Sequence, residues 1–156
     1  MGSEENMKTC TFFGNRDCKD EIKHELLSVI EDCIVSQDVG RFYVGNNGNF
    51  DKIAISLLRQ LKNKYPHIVY EIVLAYHPSS READGYGEGE SIFPDGIERA
   101  PRRYAITYRN NWMLKRSECV ICYIRNKYGS SYQYATKAER SGKEMFYIGD
   151  GDMPLR

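Results

Sequence analysis

Three short stretches carry the residue types best suited to chemistry: Gly14-Asn15-Arg16-Asp17, Gly45-Asn46-Asn47-Gly48-Asn49-Phe50-Asp51, and Tyr128-Gly129-Ser130-Ser131. Each follows an apolar or β-branched run and precedes residues with helical spacing, so each is a glycine-containing turn feeding a helix N-terminus. Such a turn presents unpaired backbone N–H groups at the positive end of a helix dipole, which suits a phosphate or a carboxylate. One turn of this kind says little, because glycine is the default residue of any tight strand-to-helix connection. Three of them on one edge of a sheet point to a bound anion. Within them Arg16 either offers a planar guanidinium to a phosphate or pairs with Asp17 or Asp20. Asp51 either fixes a ribose hydroxyl or caps the second helix, and the two roles are compatible.

Other chemistries find less support. Neither GxGxxG nor GxxxxGK[ST] occurs, which disfavours ordinary dinucleotide binding and P-loop nucleotide hydrolysis. No Ser–His–Asp set suggests itself: His24 lies on a helix flank, His67 follows a proline, and only His77 sits beyond a strand end. Cys119-Val120-Ile121-Cys122 has the spacing of a metal pair but lies in a strand-like run, where side chains three apart point to opposite faces. Neither a metal site nor a cofactor is expected.

The elements that position these turns alternate in type. Strands are expected at 9–13, 41–44, 68–75, 118–124 and 144–148, with helices at 20–36, 51–64, 103–116 and 132–141. Residues 77–102, with four glycines and three prolines, read as a long lid-like loop. Residues 1–7 read as a tail outside a single domain spanning 8–150. The alternation predicts an α/β, Rossmann-like doubly wound fold: a mainly parallel sheet of about five strands with helices on both faces. The apolar run 120–124 fits a strand covered on both sides.

Composition narrows the partners. The 156 residues are 41% hydrophobic and hold 22 basic and 22 acidic side chains, a formal net charge of zero. No global field recruits nucleic acid or an anionic membrane, so a nucleic-acid partner is disfavoured and anion recognition must be local. No apolar run approaches the roughly 20 residues of a membrane span. Five cysteines without a secretory leader argue for reduced thiols in a cytoplasm.

Residues 9–16, then 42–51, then Arg109-Asn110-Asn111-Trp112-Met113-Leu114 resemble the SLOG family. This superfamily joins the DNA-processing protein DprA with the LOG phosphoribohydrolases and includes small YpsA-like bacterial proteins; the likeness runs from about residue 8 to 148. The resemblance implies a Rossmann-like domain that holds a nucleotide or nucleotide-derived ligand at its strand ends. Some members are N-glycosidases on nucleoside monophosphates, and others sense signalling nucleotides, including in antiphage defence. It also implies a dimer or larger homo-oligomer, in a bacterial cell or encoded by a phage or prophage. Gly14, Arg16, Gly45, Asn46, Gly129 and Ser130 are expected to hold phosphate or ribose, with Asn15, Gly48 and Asp51 also among the ligand-binding residues. Phe50 or Tyr76 would flank a base, Gln133 would read a polar edge, and Arg109 and Asn110 would face the crevice.

Two departures bear on turnover. Asn15 stands where the family's opening motif usually has histidine, and an amide exchanges no proton near neutral pH. Gln133 stands about where the catalytic PGGxGTxxE motif has its glutamate, and it cannot act as a general base. The expected activity is therefore capture, as a sensor or a sequestering sponge. The alternative is an N-glycosidase or deoxyribosyltransferase-like enzyme, for which Asp17, Asp51 and Glu139 are the available carboxylates.

Overall fold

The computed structural model describes residues 7–149. In chain order its elements are β1 (Lys8–Gly14), α1 (Lys23–Ser36), β2 (Val39–Val44), α2 (Asn49–Lys64) and β3 (Val69–Val73). There follow α3 (Ser80–Asp84), β4 (Ser91–Ile92), α4 (Ala105–Lys115), β5 (Cys119–Tyr123), α5 (Ser130–Arg140) and β6 (Glu144–Tyr147). Short 3-10 turns at Asp20–Ile22 and Arg102–Tyr104 lead into α1 and α4. The strands form one sheet in the order β4-β3-β2-β1-β5-β6, and every pairing is parallel. This is the expected Rossmann-like α/β fold, with six strands rather than about five.

Alternation along the central strands divides the core in two. Cys10 and Phe12 of β1 face one cluster, with Cys119, Ile121 and Tyr123 of β5. Phe13, Val120 and Cys122 face the other. The two cysteines of the CxxC spacing thus lie on opposite faces, as strand geometry requires. All five cysteines are free and buried.

Helices α1 and α2 cover the first face through Leu26, Ile30 and Cys33 and through Phe50, Leu57 and Leu61, residues at helical spacing. Helices α4 and α5 cover the second through Met113 and Leu114 and through Tyr134, Ala135 and Ala138. Met7 is half-buried, its side chain 3.3 Å from where a Cβ on Gly40 would stand, so it belongs to the packed domain. The rest of the expected tail, and residue 150, lie outside the described residues.

Residues 77–102 are more structured than a lid-like loop. Ser79 and Glu82 form a capping box that starts α3, satisfying donors that a helix end leaves open. Strand β4 extends the sheet along β3 at Ile72 and Val73. Glu90 anchors the segment: its carboxylate takes two 2.7 Å bonds from Arg59, one of 2.6 Å from the Tyr70 hydroxyl and one of 2.9 Å from Gly87 N–H. The Arg59 bonds are the largest of the influences that, against burial, hold this carboxyl down at about 2. Nothing in the local sequence singles out Glu90 among the acids of this segment. A two-residue strand has no period to read, and the partner Arg59 lies 31 residues away.

Glu90→Gln keeps the shape but weakens four donor contacts to a charge, and should cost about 1.5–3 kcal/mol in urea unfolding. The native carboxyl ionises more easily than an ordinary one, so its stabilisation is complete above about pH 4.5 and is lost toward pH 2. The variant should lack that acid-side loss, and protease cleavage within 79–92 should rise.

Candidate functional site

The sheet order reverses beside β1. The chain steps outward through β2, β3 and β4, then returns to lay β5 on the other side of β1. Ligands of open α/β sheets sit beyond the strand carboxyl ends at such a reversal. A crevice of about 70 Å³ lies there, with Gly14, Arg16, Asn47, Asp51, Arg109, Asn110, Ser130 and Ser131 among its lining residues. Phe13, Ile106 and Met113 contribute its apolar wall.

Two glycines let these parts approach. A Cβ on Gly14 would stand 2.3 Å from the Phe50 ring, so only glycine lets the end of β1 lie on the first turn of α2. A Cβ on Gly45 would stand 2.9 Å from Arg109 Nη1 and 3.0 Å from Asp51 Oδ2, so the backbone at the end of β2 runs beside both charged groups. The loops are tied directly as well. Asn49 N–H donates to Arg16 O at 2.8 Å, and Ser131 Oγ donates to Gly14 O at 2.8 Å.

Arg109 is 2% exposed. Its guanidinium donates to Asn110 Oδ1 at 2.7 Å, Val73 O at 3.0 Å, Asn47 Oδ1 at 2.5 Å and Asn46 Oδ1 at 3.4 Å. A buried charge is tolerated when acceptors replace its water, as here. Burial still holds its pKa below the ordinary arginine value, with Asp51 the main opposing charge. Asp51 Oδ2 accepts Asn47 N–H at 2.9 Å. Desolvation pushes the Asp51 carboxyl up to about 6, against the pull of Arg109, the Asn47 amide and Arg16. The residue keeps intermediate exposure while its carboxyl is largely removed from water. A perturbed carboxyl in a crevice is a mark of functional sites.

Of the residues expected at the site, Gly14, Arg16, Asp51, Arg109, Asn110 and Ser130 line the crevice. Gly45 and Gly48 shape it from behind, and Gly129 starts α5 at φ +91° with no side-chain cap. Asn46 stands behind Arg109, bonding it on one side and the Tyr86 hydroxyl on the other.

Four expectations fall elsewhere. Phe50 is fully buried, stacked on Tyr123 and edge-on to Phe12, which leaves no ring face for a base. Tyr76 donates to Arg102 O at 2.8 Å beneath the Arg102 guanidinium and does not line the crevice. Asn15 accepts Arg125 N–H at 2.8 Å and so fastens the loop after β5. Gln133 is exposed on α5 and does not line the crevice.

Among the enzyme candidates, Asp17 lines a separate cavity of about 250 Å³ with Lys19 and Glu21. Glu139 accepts the Tyr147 hydroxyl at the β6 edge. Sequence reasoning missed Asn47 and Ser131, although both sit within the glycine-rich turns it singled out. Among the described residues no group of three or more His, Cys, Asp or Glu is placed to hold a metal, and no helix is long and apolar enough to cross a membrane.

No family model matches the chain, and no curated protein matches it by sequence. Among solved structures it is similar to DNA processing protein A (DprA) from Streptococcus pneumoniae, with a TM-score of 0.65 at 16% identity. The match covers 97% of this chain and 53% of that one, so the chain spans about half the length of its structural neighbour. At that identity the likeness concerns architecture, and the architecture is a DprA-like Rossmann fold.

Proposed function

We propose that this domain captures a phosphate-bearing, nucleotide-like ligand at the crevice and does not transform it. The observation that carries the reading is the start of α5. The helix begins on an exposed glycine with no side-chain cap, and its first residues, Ser130 and Ser131, line the same crevice as Arg16. Uncapped amides, the Ser130 hydroxyl and a guanidinium around one space are the donor set of a phosphate site. In a cell the domain would then act as a sensor or a sequestering sponge for a signalling nucleotide, in the setting of bacteria and phages, as a homodimer or larger assembly.

A second reading rests on Asp51. A carboxyl titrating at about 6 beside a phosphate site has the acid–base range of an N-glycosidase acting on nucleoside monophosphates. Mass spectrometry of small molecules released by denaturing the purified protein separates the two. Intact nucleotide supports capture and free base supports hydrolysis, whereas an empty protein whose melting temperature no nucleotide shifts sinks both.

Two substitutions report on the crevice. Arg16→Ala should weaken nucleoside monophosphate binding by roughly tenfold to a hundredfold, the loss of a charge-assisted bond, as read by calorimetry. Asp51 holds its proton more tightly in the folded chain than in the unfolded one. Its ionisation therefore disfavours the native state progressively from about pH 4 to about 6, by up to about 3 kcal/mol above that. Asp51→Asn should raise stability at pH 7–8 and leave it little changed at pH 4. Sulfate, whose charge is constant over this range, should bind wild type about three- to tenfold more weakly at pH 7.5 than at pH 5, and the variant should lose that slope.

A further inference from the structure

A second cavity, of about 280 Å³, lies between α2 and α3, with Asn46, Lys52, Ile55, Arg59, Arg81 and Tyr86 among its lining residues. It shares a wall with the crevice. Asn47 and Asp51 line the crevice while their neighbours Asn46 and Lys52 line this cavity. Adjacent residues lie about 3.8 Å apart at Cα, so the ridge between the two spaces is one or two residues thick. Asn46 spans it, accepting from Arg109 at 3.4 Å and donating to the Tyr86 hydroxyl at 3.3 Å.

The two spaces differ in capacity and chemistry. Seventy cubic ångströms holds a phosphate, whereas sites that bury a whole small ligand run from about 300 Å³ upward. The second cavity supplies the missing room and an aromatic ring, with Ile55 as apolar surface. Arg59 is held by Glu90 and by Gly85 O at 2.9 Å. Lys52 and Arg81 are exposed, and among the described residues neither side chain has an ion pair or hydrogen-bond partner. The acid at this rim, Glu82, accepts from Ser79 N–H in the capping box that starts α3.

We propose that the base of the captured nucleotide seats in this second cavity, against Tyr86, with Lys52 and Arg81 reading the O6 and N7 acceptors of guanine, while the phosphate occupies the crevice and the ribose crosses the Asn46–Asn47 ridge. The inference rests on the phosphate-capture reading and adds its base specificity. Guanine follows from the charges: two cationic donors meet its acceptor pair, whereas adenine offers a donor at the same edge. Residues 79–90 then act as the specificity element, pinned to the sheet by Glu90.

Calorimetry with GMP, AMP and inorganic pyrophosphate tests this, with circular-dichroism melts confirming folding. Wild type should bind GMP about tenfold more tightly than AMP. Arg81→Ala and Tyr86→Ala should each weaken GMP by about tenfold and leave pyrophosphate unchanged, with Tyr86→Phe keeping most of the ring's contribution. Arg16→Ala should weaken both ligands. Unchanged GMP affinity in Arg81→Ala and Tyr86→Ala, beside losses in Arg16→Ala, overturns the base site and leaves phosphate capture standing. Equal losses of GMP and pyrophosphate in the Arg81 variant reduce its role to general electrostatics and overturn the proposal, as does AMP binding as well as GMP. Failure of wild type to bind any of the three overturns both readings.

Discussion

A guanidinium at 2% exposure must find in the protein the acceptors it has lost in water, and the loops around Arg109 are organised by that demand. Its bonds reach the last residue of β3, both asparagines after β2 and the neighbouring side chain on α4. Three chain segments distant in sequence thereby share one fixed point. The glycine at 45 follows from it, because any side chain there would occupy the space of the guanidinium and of the Asp51 carboxyl. The raised titration of Asp51 has a different source: burial outweighs the Coulomb attraction of this cation. The geometry is fixed by the guanidinium's bonds to neutral acceptors on three segments.

The second constraint is the contact of β1 with α2. Gly14 admits the Phe50 ring, which carries the N-terminus of α2 to the strand end and brings Asp51 and Asn47 to the crevice. On the other side Ser131 holds the same glycine's carbonyl and sets the start of α5. One residue without a side chain thus serves two helix starts, and both approach the point where strand order reverses.

Much of this was legible in the sequence because it depends on period and on backbone chemistry. The alternation of strand and helix, the opposite facing of Cys119 and Cys122, and the glycine-marked ends of β1, β2 and β5 all follow from local spacing. What escaped depends on distant partners. Arg109 is expected at the crevice through the resemblance, but its burial on acceptors 36 to 63 residues away is not readable from helical spacing. Phe50 beside a glycine-rich turn reads as a stacking platform; only the packing of β1 shows that it is core. Asn15 and Gln133 were read through a motif, and the structure gives the first a tie to Arg125 and leaves the second in solvent.

The distribution of carboxylates bears on what the crevice can do. Glycosidic cleavage by acid–base chemistry ordinarily takes two carboxyl groups flanking the bond, one to protonate and one to attack or to activate water. Among the described residues lining the crevice, Asp51 is the one carboxylate; Asp17 belongs to another cavity and Glu139 to the β6 edge. A single acid titrating at about 6 can donate to a ligand's oxygen or keep its proton while an anion settles beside it. It lacks the partner that a two-carboxylate mechanism needs. Because desolvation raises the Asp51 carboxyl to about 6, it is mostly ionised at neutral pH and opposes an anion there, and it leaves the donors around it unopposed only as pH falls below that value. That pH dependence arises from the burial of the carboxyl rather than from any motif.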